Sequence, residues 1–535
     1  MIRDSMKFPA DLAAAYLADG RWTTDTLDSL LARAVTTKPD GPALDHPGGI
    51  ITWSELSDIV SRTAGALAAM GLQQGDVITT QLPNTVEFLI SHLAIGRIGA
   101  VHQTIHLPYG PKDTEFHLHH AKARAVIAPA MLKDTDMGSV MLDLKSRLPD
   151  LEHVILVGDA AQGAVSFDSL TRSVAPPMTE GPSRGEDPCM LLYTSGTTSS
   201  PKGVPLTFQM LLCNSKAATK RFAFTPDDRI LSAAPFSHLY GIFNFHAVLE
   251  LAATSVLLPI FTPPDLAQRV SDAKPSVIFS APAHTAAVIG MGLTDKFDFS
   301  SVRFTVFSGA ACPVELLKAY QDKVPSSTVA QLLGMTEIVA GCFTHHDDIL
   351  EDAANTAGPA APGDEVRVLN ADGEASPVGE EGELQVRGSS VFAGYLDNDD
   401  ANNAAFSSDG WFITGDLAII DDRGYVKLTG RSKDIINRGG IKYNPSDIEE
   451  LLLLHPAIDQ AAIVPMKDDV LGERACCFAV LKADAEAPAL ADICAYLEDH
   501  NVSKYKWPER LEFVPEMPLT PTRKIIKGRL AALLD

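Results

Sequence analysis

Residues 189–208, CMLLYTSGTTSSPKGVPLTF, hold the densest set of groups suited to binding phosphate. An apolar, strand-like run ends at Tyr193 and opens into Thr194, Ser195, Gly196, Thr197, Thr198, Ser199 and Ser200, then closes on Pro201, Lys202 and Gly203. Small residues let backbone N–H groups approach phosphate oxygens, hydroxyls add donors, and Lys202 adds a positive charge. The segment suits the β- and γ-phosphates of a triphosphate. It is not a Walker A loop, GxxxxGK followed by Ser or Thr, because Lys202 follows proline and precedes glycine. By itself it could also be read as a Ser/Thr-rich linker, the lesser of the two readings.

The elements that must carry such a loop show in the periodicity. Apolar clusters such as DVITTQLP and ARAVIAP alternate with helix-like segments such as EFLISHLAIGRIGA, the rhythm of α/β layers. Past residue 360 short strands alternate with turn signals, in EVRVLNADGE, GELQVRG and LAIIDDRGYVKLTGR. IEELLLLHPAI, AAIVPM, ACCFAVL, DICAYLEDH and RLEFVPEMP then outline a compact α+β unit of about 100 residues. A second domain is expected to start near Lys433.

The chain has 535 residues, beyond the roughly 250–300 at which single cores stop growing. Hydrophobic residues at 46% and charged residues at 21% describe an ordinary globular protein. Lys and Arg number 44 against 68 Asp and Glu, a net charge of −24, which disfavours nucleic acid and anionic membranes as partners. An anionic small substrate must then be held by a local cluster of donors. The seven cysteines are scattered without a CxxC pair, so a reducing cytoplasm is expected. The N-terminal segment lacks the apolar core of a signal peptide, and no run approaches the ~18 apolar residues of a membrane span. Two histidine-rich groups, His117, His119 and His120 and then His345, His346, Asp347 and Asp348, resemble metal ligands in composition. Their placement on a helix and in a loop favours solvated or locally bonded side chains over a zinc site.

The phosphate loop resembles the (Y/F)TSGTTGxPKG motif of the adenylate-forming, or AMP-binding, superfamily, with Ser199 at a glycine position. That superfamily includes acyl-CoA and aryl-CoA synthetases, peptide-synthetase adenylation domains and beetle luciferases. Further motifs recur in the same order: PFSHLYG at 235–241, FSGAACP at 307–313, QLLGMTE at 331–337, DGWFITGDLA at 409–418, GYVKLTGRSKDIINRGGIKYNPSDIE at 424–449 and PLTPTRKIIKGRL at 518–530. The resemblance implies an α/β fold. It comprises a large multi-lobed domain over 1–432, with two α/β sheets and a small β-barrel-like region, and a small mobile α+β domain over 433–535.

It also implies roles. His238, Leu239 and Phe243 are expected in the acyl pocket, and Gly309, Ala310 and Ala311 beside adenine and acyl group. Leu332, Leu333, Gly334 and Met335 belong to the nucleotide site, Gly309 and Gly334 also bordering the acyl group. Thr336 is expected on the α-phosphate, Glu337 and Thr197 at Mg²⁺, Asp416 on the ribose, and Arg431 on ribose or phosphate. Lys433 holds the hinge position. Gly439, Gly440 and Lys442 would line the coenzyme A side. Lys524 bridges carboxylate and α-phosphate, so that Lys524, Thr336, Glu337 and Lys202 form the catalytic set. Two positions depart from the pattern: Leu333 stands where an aromatic ring usually stacks on adenine, and Arg523 replaces a glycine beside Lys524.

The implied reaction uses ATP, Mg²⁺ and coenzyme A. A carboxylate expels pyrophosphate from ATP, and the acyl-adenylate then passes its acyl group to the thiol. The N-terminal FPADLAAAYLADGRW and the INRGGIK segment resemble aryl-acid and alicyclic-acid ligases. Hydroxybenzoate activators place an asparagine after the pocket histidine; here Leu239 would leave an ortho hydroxyl unpaired, at a cost of about 1–3 kcal/mol. The expected substrate is an apolar cyclic, aromatic or short-to-medium-chain acid. Alternatives are an adenylating enzyme that loads a carrier protein and a nucleotide-binding homologue without ligase activity. A homodimer is left open.

Overall fold

The computed structural model describes the chain except residues 1, 7, 195–200, 311, 439–440, 469–470, 501, 521–523 and 535, and the side chains of Asp4 and Lys442. Two compact units are present, one of Met1–Glu365 with Arg387–Phe406, the other of Val366–Val386 with Ser407–Asp535.

The first unit holds two α/β sheets. One has seven strands, in the order Lys202–Thr207, Pro188–Thr194, Val101–Thr104, Val77–Thr80, Ala125–Pro129, His153–Val157 and Val165–Ser166. DVITTQLP and ARAVIAP supply two of its strands, and the helix Val86–Arg97 comes from EFLISHLAIGRIGA. All pairings are parallel except the first, an antiparallel hairpin at the edge. The other sheet has eight strands, Val339–Phe343, Thr328–Met335, Phe304–Phe307, Val277–Ser280, Arg229–Ser232, Thr254–Val256, Pro42–His46 and Gly49–Thr52. It too is parallel inside and antiparallel at its edges. The interior strands of the eight-stranded sheet include near-continuous apolar runs, as expected for parallel strands covered on both faces. Phe304, Val306 and Phe307 illustrate this, each at most 2% exposed. Val77–Thr80 and Val101–Thr104 of the other sheet instead bury Thr79, Thr80, His102 and Gln103.

The helix Leu239–Leu251 is buried along almost its whole length, and a chain of buried imidazoles ties it to the seven-stranded sheet. His246 Nε2 meets His92 Nε2 at 3.0 Å, His92 Nδ1 meets His102 Nδ1 at 2.9 Å, and His102 Nε2 meets Thr80 Oγ1 at 2.8 Å. Burial pushes His102 and His246 down to about 3, so the chain is neutral near pH 7. A neutral ring both donates and accepts, which lets the bonds run in one direction along the chain.

Asp364–Leu369, Glu381–Gly388, Phe412–Ile420 and Val426–Arg431 form a four-stranded sheet that lies mostly in the second unit, whereas the sequence places a small β region in the large domain over 1–432. Ile441–Tyr443, Ile436–Arg438, Gly472–Leu481, Ile458–Asp468 and Arg510–Phe513 form a second sheet under the helices Ser446–Leu452 and Leu490–Asp499. Among the described residues no helix is long and apolar enough to cross a membrane.

The start of Leu239–Leu251 depends on Gly241. A Cβ there would lie 1.9 Å from the Pro235 carbonyl oxygen and 2.4 Å from its carbon. Gly241→Ala must displace backbone, and urea denaturation should show a loss of roughly 1–3 kcal/mol.

Candidate active site

Two edge hairpins position the candidate residues. In the seven-stranded sheet Thr194 pairs with Lys202 and Tyr193 with Gly203, so the strands that flank the phosphate loop are antiparallel neighbours. The loop residues Ser195, Gly196, Thr197 and Thr198 lie outside the described residues. In the eight-stranded sheet Thr328–Met335 carries Leu332, Leu333, Gly334 and Met335 and turns through Thr336 and Glu337 into Val339–Phe343. Val339 closes this turn with φ +53°, a conformation that β-branched residues rarely adopt. Strain of this kind persists only where packing fixes the chain.

The two hairpins meet around Glu337, which is 8% exposed. Its Oε1 accepts a hydrogen bond from the Tyr395 hydroxyl at 3.0 Å and a longer one from Thr194 Oγ1 at 3.5 Å. Its backbone oxygen accepts the Phe392 N–H at 2.8 Å. The Lys202 ammonium lies 4.8 Å from the centroid of the Tyr395 ring. Burial holds the Glu337 carboxyl above its ordinary range, opposed by its own backbone N–H, the Tyr395 hydrogen bond, the Lys202 charge and the Thr194 hydrogen bond. A carboxylate with one oxygen held by protein donors suits a hard cation such as Mg²⁺ at the other.

Beside this cluster a pocket is lined by His238, Leu239 and Thr336, with Leu192 and Tyr193 from the phosphate hairpin and Thr104, His106, Tyr109, His117 and Ser237. Its empty volume is about 290 Å³, including open solvent. His238 caps the helix Leu239–Leu251, its Nδ1 accepting the Tyr240 N–H at 3.2 Å. Phe243 is not in the lining; its ring packs towards Phe279, with centroids 6.4 Å apart. Tyr240 is likewise core, donating to the Val306 oxygen at 2.7 Å. Gly309 has φ +90°, and a Cβ there would meet nothing within 4 Å, so its face is open. Ala310 is exposed, Leu333 and Gly334 are half-buried, and Ala311 lies outside the described residues.

Tyr395, His106 and His117 belong to no motif of the sequence reading. His117 stands where solvated side chains were expected, yet it is 3% exposed, stacked 5.4 Å from Tyr109 and edge-on 4.6 Å from Tyr193. Only His119 of that group is exposed. The periodicity of the helix Pro111–His120, with Thr114, His117 and Leu118 on one face, carried the signal. Among the described residues no group of three or more His, Cys, Asp or Glu is arranged to hold a metal.

The remaining candidates belong to the second unit. Asp416 and Arg431 stand opposite each other on adjacent strands, and Arg431 Nε donates to Asp416 Oδ1 at 2.7 Å. Lys433 lies in the short helical turn Ser432–Asp434, where burial and the nearby Arg431 charge lower its pKa. Lys442 is on the strand Ile441–Tyr443, and Gly439 and Gly440 lie outside the described residues. Lys524 is exposed, its backbone N–H donating to Thr520 Oγ1 at 2.9 Å; Arg523 is outside the described residues.

Residues 31–396 match the AMP-binding enzyme family, and residues 447–524 match the C-terminal domain of AMP-binding enzymes. The chain is 32% identical over 528 residues to the medium-chain fatty-acid–CoA ligase of Escherichia coli, spanning 98% of this chain and 93% of that protein. It is 30% identical over 533 residues to the 2,3-dihydroxybenzoate–AMP ligase of Bacillus subtilis, spanning 99% and 97%. The crystal structure of the anthranilate CoA ligase AuaEII with anthranoyl-AMP superposes with a TM-score of 0.87 at 25% identity, covering 96% of this chain and 98% of that one.

A buried carboxylate with a raised pKa has a stability consequence. As pH rises the unfolded chain gives up the Glu337 proton first, so folding is penalised once pH passes the unfolded value. Glu337→Gln removes the charge and keeps an acceptor for Tyr395. Its melting temperature at pH 7 should exceed that of the parent, and the difference should shrink as pH falls into the carboxylate range.

Proposed function

The chain belongs to the AMP-binding enzyme family, and on that premise we propose that it is an AMP-forming ligase that joins a carboxylic acid to coenzyme A. The observation that carries this reading is the meeting of the phosphate hairpin with Thr336 and Glu337, beside a pocket containing His238. A substrate carboxylate oxygen attacks the α-phosphorus; its O–P bond forms as the bond to pyrophosphate breaks. Such a transfer needs reactants held in line and phosphate charge neutralised, rather than covalent help from the protein.

Lys202 supplies charge at the phosphate hairpin, Thr336 a hydroxyl towards the α-phosphate, and Lys524 the charge between carboxylate and α-phosphate. Mg²⁺, when bound, offsets the negative charge of the triphosphate. Glu337 would hold it, and Thr197 is the second candidate. Asp416 and Arg431 would take the ribose. In the second half-reaction the thiol sulfur attacks the acyl carbon, the S–C bond forms and AMP leaves. A thiol of pKa about 8.5 is a few per cent thiolate at pH 7, so no dedicated base is needed. Lys433 is the proposed hinge between half-reactions, and Gly439, Gly440 and Lys442 are proposed on the coenzyme A side.

Leu239, at the position after the pocket histidine, and Leu192 put aliphatic side chains among the aromatic and hydroxyl groups of the pocket; Leu239 offers no partner to an ortho hydroxyl, which supports an apolar cyclic, aromatic or short-to-medium-chain acid. All seven cysteines are unpaired, which supports a reducing cytoplasm as the site of action.

The test is acid-dependent exchange of labelled pyrophosphate into ATP across a panel of carboxylic acids, followed by coenzyme A and a phosphopantetheinylated carrier protein as acceptors. Exchange followed by transfer to coenzyme A is expected. No exchange with any acid would overturn adenylation, and transfer to carrier protein alone would overturn the acceptor. Lys524→Ala should lower adenylation on the order of 10²–10³-fold, the scale of losing one electrostatic stabiliser, while thioester formation from supplied acyl-adenylate persists.

A further inference from the structure

Tyr395 touches two of the groups that the proposed function uses, and the inference rests on that reading. Its hydroxyl donates to Glu337 Oε1 at 3.0 Å, and its ring lies beneath the Lys202 ammonium at 4.8 Å. The side chain is 5% exposed. The backbone on either side is anchored as well, Tyr395 N–H donating to Asn402 Oδ1 at 2.6 Å and Leu396 N–H to the Gly203 oxygen at 2.8 Å. The ring is therefore fixed against both hairpins.

Two consequences follow from this placement. Oε1 of Glu337 is committed to Tyr395 and Thr194, whereas no side chain among the described residues hydrogen-bonds Oε2; the carboxylate's remaining protein donor is Glu337's own backbone N–H. The carboxylate thus has one oxygen oriented by the protein and one left for a cation. Lys202 and Glu337 also carry opposite charges and influence one another, yet they form no ion pair; the ammonium rests on the ring face instead. A cation over an aromatic face keeps its charge, while a cation joined to a buried carboxylate loses its value to a phosphate and cancels the charge that would hold a metal.

We propose that Tyr395 is a positioning residue with two separable parts: its hydroxyl aims Glu337 at the nucleotide's Mg²⁺, and its ring keeps Lys202 off Glu337 and available to the phosphates. The parts are separated by substitution. Tyr395→Phe keeps the ring and removes the hydroxyl. Tyr395→Leu removes both.

Calorimetry with a non-hydrolysable α,β-methylene ATP analogue, in Mg²⁺ and in EDTA, reads both parts without turnover. The wild type should bind more tightly in Mg²⁺. Tyr395→Phe should match wild type in EDTA and lose about tenfold of the Mg²⁺-dependent gain, the scale of one charge-assisted hydrogen bond. Tyr395→Leu should be weaker than Tyr395→Phe in EDTA, where only Lys202 distinguishes them. A Mg²⁺ gain in Tyr395→Phe equal to that of wild type would overturn the role of the hydroxyl. Equal affinities of Tyr395→Leu and Tyr395→Phe in EDTA would overturn that of the ring. Acid-dependent pyrophosphate exchange by the wild type is the parallel control, since its absence sinks the ligase reading rather than the placement of Tyr395.

Discussion

A carboxylate held out of water must have its charge answered by its surroundings, and the buried Glu337 imposes that demand on the edges of two sheets. The seven-stranded sheet answers with Thr194 and Lys202 from its edge hairpin. The segment after Arg387 answers with the Tyr395 hydroxyl, while Phe392 N–H holds the Glu337 backbone carbonyl in place. The parallel interiors of the sheets are rigid because helices cover both faces. The edges, freed from that pattern, are where the chain turns tightly enough to present hydroxyls, an ammonium and a carboxylate to one place.

The α/β rhythm was legible because parallel strands leave continuous apolar runs and their crossover helices leave longer ones. The phosphate loop was legible because its residue types are informative without their neighbours. Tyr395 was not, because its bond to Glu337 spans 58 residues of chain and nothing local marks it. Phe243 shows the converse difficulty: every residue of Leu239–Leu249 is buried, so the sequence pattern cannot say which side faces the pocket. His117 lay between the two cases. The composition of its neighbourhood suggested ligands or solvent, while its place on the inward face of an amphipathic helix gives it a pocket wall.

Family membership fixes the reaction class, and the residues that depart from the family motifs bear on its efficiency. Leu333 is a half-buried aliphatic side chain on the strand that leads into Thr336. In the proposed nucleotide site it would offer a purine apolar contact without the geometry of ring stacking. Asp416 is only 7% exposed and already bonded to Arg431, so the two act as a preformed pair rather than as independent charges.

The central claim is that the acid's own oxygen becomes bonded to the α-phosphorus. Turnover of a carboxylic acid labelled with ¹⁸O in both carboxyl oxygens, with mass spectrometry of the nucleotide product, tests it most directly. The account predicts AMP carrying one ¹⁸O. Unlabelled AMP, or label in ADP or inorganic phosphate, would contradict it.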